Sequence, residues 1–156
     1  MEMDNLLHKL QNDLKCPYLF NYFDEKRKNP YEWKTVLVGP YGSIYENGFY
    51  LLKIVFPESY PNNRPNIYFV NKIFHPHIHS SGNACIIPPF IKDEKNDIIS
   101  LLDGLRCMIL HYDAYVDHGY SEEPRFLFCE SRDKFIEKAK EWVKLYAKRE
   151  DIEKLI

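Results

Sequence analysis

The sequence predicts an α+β fold: an N-terminal helix, a four-stranded antiparallel meander and C-terminal helices. Three observations carry this. Apolar residues recur at helical spacing near the start. Four short apolar or aromatic runs, separated by Gly- and Pro-containing turns, fill the middle. Helical spacing then returns after Pro88-Pro89. At 156 residues the chain is expected to form one domain, 1–156, because domains most often hold roughly 100–150 residues around one core. A hydrophobic share of 45%, a third of it aromatic, sets it apart from disordered chains.

The elements follow in order. Met3, Leu6, Leu7, Leu10 and Leu14 recur at three- and four-residue steps and predict a first helix that ends before Pro17. Tyr18 to Phe23 reads as an aromatic strand, and Asp24 to Pro30 as a solvated, charged hairpin loop. Trp33 to Val38 is a second strand, stopped by Gly39-Pro40, and Tyr41 to Gly48 makes a turn. Phe49 to Phe56 is apolar on both faces except at Lys53, as a central strand should be. Pro57 and the Tyr60 to Pro65 segment interrupt regular structure before a fourth strand, Ile67 to Val70. Short turns between the four favour a meander.

Beyond Pro89, Ile98, Leu101, Leu102, Leu105, Met108 and Ile109 mark a buried helix, with Asn96 or Asp97 as its N-cap. Gly104 inside it costs about 1 kcal/mol against Ala, which points to a close packing contact. His111 to Pro124 reads as a long polar loop. Phe135, Ala139, Trp142, Val143 and Tyr146 mark a final helix from near Ser131, which the charged tail Lys148 to Ile156 continues.

Composition narrows the function. Twenty-one basic and 23 acidic residues give a net charge of −2, too little positive field for generic nucleic-acid binding. Met1-Glu2-Met3-Asp4-Asn5 lacks the basic start and apolar middle of a signal peptide, and no stretch nears the roughly 20 apolar residues of a membrane span. A soluble cytoplasmic or nuclear protein is expected, monomeric, with no membrane or nucleic-acid partner. Cys16, Cys85, Cys107 and Cys129 are widely spaced and expected as free thiols, Cys107 in the core.

Chemistry concentrates at Phe74-His75-Pro76-His77-Ile78-His79-Ser80-Ser81-Gly82-Asn83-Ala84-Cys85. Three readings are open. Cys85, just past a turn, can be a nucleophile with His77 as a nearby donor. His75, His77, His79 and Cys85 can form a metal site, although Pro76 disturbs the alternation and same-face strand neighbours lie about 6–7 Å apart. Cys85 can also be a small, half-buried hydrophobe beside surface histidines. No local pattern supplies a His base held by an acid, as an acyl-transfer triad requires.

Several linked motifs resemble ubiquitin-conjugating enzymes. Trp33, Gly39-Pro40, Tyr45-Glu46-x-Gly48-x-Tyr50, Phe56-Pro57-x-x-Tyr60-Pro61-x-x-x-Pro65, His75-Pro76-His77 and Gly82-x-x-Cys85 occur in that family's order and spacing. Ala139-Lys140-Glu141-Trp142 and Tyr146-Ala147 resemble its last helix. The similarity is dense from Trp33 to Cys85, weaker in the first helix and poor from Pro88 to Arg132.

The resemblance implies the same fold and a mechanism. Cys85 would accept ubiquitin or a ubiquitin-like protein from an activating enzyme as a thioester, without a cofactor or metal. A lysine of a substrate protein, presented by a ubiquitin ligase, would then attack it. His77 stands where most members have Asn, a residue credited with supporting the oxyanion or the active-site loop. Asp117, with Asp113 second, is the candidate acid that positions and deprotonates the lysine. His75, Pro76, Tyr60 and Pro61 belong to the structural motif. Departures accompany these matches. The family's Trp-Ser-Pro segment is replaced by Phe90 to Lys95, and Asn62 stands where ligase-binding members often carry an aromatic residue. The alternative is an inactive variant of the same fold serving as a binding or scaffold subunit.

Overall fold

The structure, a computed structural model, describes residues 28–91 and 96–155, together with the backbone pairing of 19–20. The predicted first helix, most of the first strand, Cys16 and part of the charged connection lie outside the described residues.

Four strands form one antiparallel sheet in the order β1 (Leu19–Phe20), β2 (Glu32–Val38), β3 (Phe49–Val55), β4 (Asn66–Phe69). This is the predicted meander. Among the described residues, four helices follow: α1 (Ile98–Leu110), α2 (Glu122–Glu130), α3 (Arg132–Tyr146) and α4 (Arg149–Glu153). Single 3₁₀ turns occupy Pro88–Phe90 and Val116–His118. No helix among the described residues is long and apolar enough to cross a membrane.

The two-residue period of the strands sorts the core. Trp33 pairs with Ile54, Thr35 with Leu52 and Leu37 with Tyr50, and all six are buried. Ile67 and Phe69 extend this face through β4, and α1 packs on it with Ile98, Leu101, Leu105, Met108 and Ile109. Side chains alternate across a strand, so Val36, Phe49 and Leu51 point the other way. They meet Ile152 of α4, which is buried with Val36 and Leu51.

The double-sided apolarity of β3 therefore has a specific cause in the tail. The tail does not continue the final helix as expected. Phe49 N–H takes the Ala147 carbonyl at 2.9 Å, and Asn71 Nδ2 bonds the carbonyls of both Phe49 and Tyr146 at 2.9 Å. These bonds end α3 and turn α4 onto the outer face of the sheet. Part of the predicted polar loop also folds, as the 3₁₀ turn and the start of α2. The α2 helix has a single buried residue, Pro124, too faint a periodicity to stand out.

Side-chain caps open two of the helices, and of the two candidates Asn96 and Asp97 it is Asp97 that serves. Asp97 caps α1, its Oδ1 accepting from Ser100 N–H at 2.9 Å, and Ser131 caps α3, accepting from Lys134 N–H at 3.3 Å. Tyr60 adds a contact that spacing does not show: its hydroxyl oxygen accepts Ile98 N–H at 3.1 Å, while its ring meets Phe56 edge-on. Tyr60 thus ties the loop after β3 to the start of α1.

At Gly104 the close contact is explicit. A Cβ there would lie 2.9 Å from the Phe90 carbonyl oxygen and 3.2 Å from a methyl carbon of Ile86. Propensity alone makes Gly104→Ala stabilising by about 1 kcal/mol. Overpacking against backbone costs roughly 1–3 kcal/mol. Denaturant unfolding should show Gly104→Ala less stable than wild type; a gain in stability would mean that the Phe90 turn yields without cost.

Candidate active site

Between Val70 and Pro88 the chain has no regular strand or helix, so its backbone groups need other partners. The histidines provide two. His75 is fully buried; its Nδ1 accepts His77 N–H at 3.0 Å, and its Nε2–H donates to the Met108 carbonyl at 3.0 Å near the end of α1. That pair of partners fixes one neutral tautomer. Burial pushes the His75 pKa down to about 3; the Met108 bond opposes this shift and His77 adds to it.

His77 is also buried, and its Nε2–H donates to the Ala114 carbonyl at 3.1 Å. Its Nδ1 is buried without a hydrogen-bond partner. In this tautomer Nδ1 is an acceptor, and the one N–H is already engaged. The ring therefore offers loop support and no free donor for an oxyanion. Burial is the main cause holding His77 below the usual imidazole range, offset in part by the Ala114 bond and reinforced by His118.

The turn before Cys85 is tightly built. Gly82 has φ of +90°, and a Cβ there would meet the Phe69 carbonyl oxygen at 2.2 Å, so only glycine fits. Past it, Ala84 N–H donates to Ile67 O at 3.0 Å and Cys85 N–H to His77 O at 2.9 Å. The Cys85 backbone is thereby anchored while its free thiol is exposed. Cys129 is likewise free and exposed. Cys107 is free and half-buried against the core.

The predicted residues separate by role. Cys85, His77 and the 114–121 segment share one region: Ala114 holds His77, and Ser121 N–H takes the Pro76 carbonyl at 3.0 Å. Asp117 is exposed on the 3₁₀ turn Val116–His118 of that segment. Asp113 forms an ion pair with Arg132. His75 supports backbone, and Tyr60 and Pro61 lie on the loop that meets the start of α1. The three histidine rings do not converge as metal ligands. Two bond carbonyls, His79 Nδ1 meets Ser81, and no group of three His, Cys, Asp or Glu is placed for a metal among the described residues.

Tyr120 escaped the sequence reading. Its hydroxyl donates to the Asn83 carbonyl and its ring stacks on His79, with centroids 5.5 Å apart and planes 9° off parallel. It lies in a stretch that reads as polar loop, and only its aromatic character marked it.

The buried neutral state of His75 has a pH consequence. Unfolded, the ring takes up a proton near pH 6.5; folded, it resists until about pH 3, so the unfolded chain binds more protons in between and stability falls as pH drops. This ring alone should contribute roughly 1.4 kcal/mol per pH unit through that window. His75→Gln should be less stable at pH 7, with a shallower decline, so that unfolding curves measured from pH 7 to pH 4 converge. Parallel curves would rule out a neutral buried ring.

Comparison with known proteins agrees with this architecture. The family model for ubiquitin-conjugating enzymes matches residues 5–143. Ubiquitin conjugating enzyme E2 B of Dictyostelium discoideum is 33% identical over 121 residues, covering 77% of this chain and 80% of that protein. Ubiquitin-conjugating enzyme E2 7 of Arabidopsis thaliana is 36% identical over 84 residues, covering 52% of this chain; the chain spans about half of that relative, 50% of its length. The E2 domain of a Toxoplasma gondii ubiquitin conjugating enzyme superposes with a TM-score of 0.75 at 27% identity, covering 93% of this chain and 99% of that one. With the family model matched over most of its length, this chain belongs to the ubiquitin-conjugating enzyme family.

Proposed function

We propose that this chain is an active conjugating enzyme, a single domain that carries ubiquitin or a ubiquitin-like protein as a thioester on Cys85 and passes it to a lysine amine. The observation that carries the reading is an exposed thiol on an anchored backbone, at the cysteine position of the family's motif. The Cys85 thiolate attacks the modifier's C-terminal carbonyl carbon on the activating enzyme. A new C–S bond forms, the old one breaks, and the activating enzyme's sulfur leaves as a thiolate. The lysine nitrogen then attacks the same carbon, Cys85 leaves as thiolate, and the amine proton is lost. ATP is consumed upstream, so Cys85 receives an already activated acyl group and needs no strong base beside it.

Asp117 is the group proposed to receive that proton, since Asp113 is engaged by Arg132. His77 holds the Asp117-bearing segment through Ala114. Oxyanion support then falls to other donors. The proposed partners are the modifier, the activating enzyme, a ligase and the substrate protein. Asn62 is exposed, and its carbonyl accepts Asn96 Nδ2 at 2.8 Å, so the ligase would meet a polar surface here.

Incubation with activating enzyme, ATP and ubiquitin, read on a non-reducing gel, should give a thiol-sensitive adduct absent in Cys85→Ala. No adduct with ubiquitin or any related modifier would leave the scaffold reading. A second expectation concerns His77. His77→Ala should slow discharge onto free lysine by about 10–100-fold, as displacement of a positioning group does, and affect loading less than threefold. Equal losses in both steps would make the ring purely structural.

A further inference from the structure

We propose that Tyr120 is a positioning residue that cross-ties the Asp117-bearing segment to the Cys85 turn and so sets where the attacking amine meets the thioester. The inference rests on the reading of Cys85 as thioester carrier.

The tie has two ends. On the turn side, the Asn83 carbonyl, two residues before Cys85, accepts both the Tyr120 hydroxyl and His79 N–H, the latter at 3.0 Å. His79 is itself fixed. Its Nδ1 accepts Ser81 N–H at 3.1 Å and lies 2.9 Å from Ser81 Oγ, which holds the imidazole flat against the Tyr120 ring. On the loop side, Tyr120 lies between Gly119, whose carbonyl accepts Arg125 Nη1 at 3.3 Å and whose N–H takes Val116 O at 2.9 Å, and Ser121, bonded to Pro76 O. Asp117 sits three residues earlier, on the 3₁₀ turn Val116–His118. His77 and Tyr120 thus grip this segment at two points, His77 from within the core and Tyr120 at the surface against the turn that precedes Cys85.

The tie persists across working pH. Burial, with Cys85 as a lesser cause, holds the Tyr120 phenol up to about 12, so the hydroxyl remains a donor. A lost cross-tie should affect an amine that needs deprotonation and placement more than a small, already neutral nucleophile. That difference separates positioning from general damage.

The test charges the full chain with ubiquitin and follows discharge onto free lysine and onto hydroxylamine. Tyr120→Phe keeps the stacked ring and removes only the hydroxyl. It should lower the ratio of the lysine to the hydroxylamine rate constant by about tenfold, and Tyr120→Ala by more. An unchanged ratio, whether both rates hold or both fall together, overturns the cross-tie while leaving Cys85 as the carrier. A wild-type chain that forms no adduct overturns the reading of Cys85 and this inference with it.

Discussion

The region around the thiol depends on one constraint: the irregular stretch 73–78 is buried, and its backbone polar groups must be satisfied without a ladder. His75 meets it by standing neutral between His77 N–H and the Met108 carbonyl. An unpaired buried group would cost roughly 1–3 kcal/mol, and a charged ring in that place considerably more. One imidazole with an acceptor and a donor nitrogen fits both needs. Tyr45 makes a similar contribution, its buried hydroxyl donating to Phe74 O at 2.6 Å. The segment leading to Cys85 is held by side chains from inside the core, which leaves its outer surface free for chemistry.

A second consequence concerns rigidity and access. Cys85 is fixed through backbone bonds to His77 and, one residue earlier, through Ala84 to Ile67 at the sheet edge. Its side chain has no part in that anchoring. The proposed acyl carrier would need this division, since its sulfur would have to be reached by large protein partners in turn while the carbonyl carbon it bore stayed in one place. The 114–121 segment is tied on by His77, Pro76 and Asn83, so its placement next to the Cys85 turn rests on three separate contacts.

The sheet's other side shows how the tail contributes. Ile152 covers Val36 and Leu51, and the Arg149 guanidinium lies 5.8 Å from the Phe49 ring centroid. Apolar surface on the outer face of β3 is buried by a helix of five residues, which would gain little from its own hydrogen bonds. Packing, rather than helix propensity, accounts for α4.

Much of the fold was legible in the residues. Apolar runs between turns gave β2, β3 and β4, and helical periodicity gave α1, to within a residue or two; the start of α3 near Ser131 was legible but its end was not, Asn96 and Asp97 were both open as the cap of α1, and Gly104 pointed to a close contact. These are local properties, and sequence spacing records them. The helix α2 and the turn-back of α4 were not legible because their stability comes from distant partners: Ala147 bonding Phe49, Asn71 bonding Tyr146 and Ile152 meeting Leu51. At the site, the motif around Cys85 singled out the thiol and His77. Only the tertiary structure decided that the His77 donor is engaged by Ala114, that Asp113 is paired with Arg132, and that Tyr120 reaches Asn83. Which nitrogen is free and which carboxylate is paired depends on residues 19 to 37 positions away, and no period in the chain encodes that.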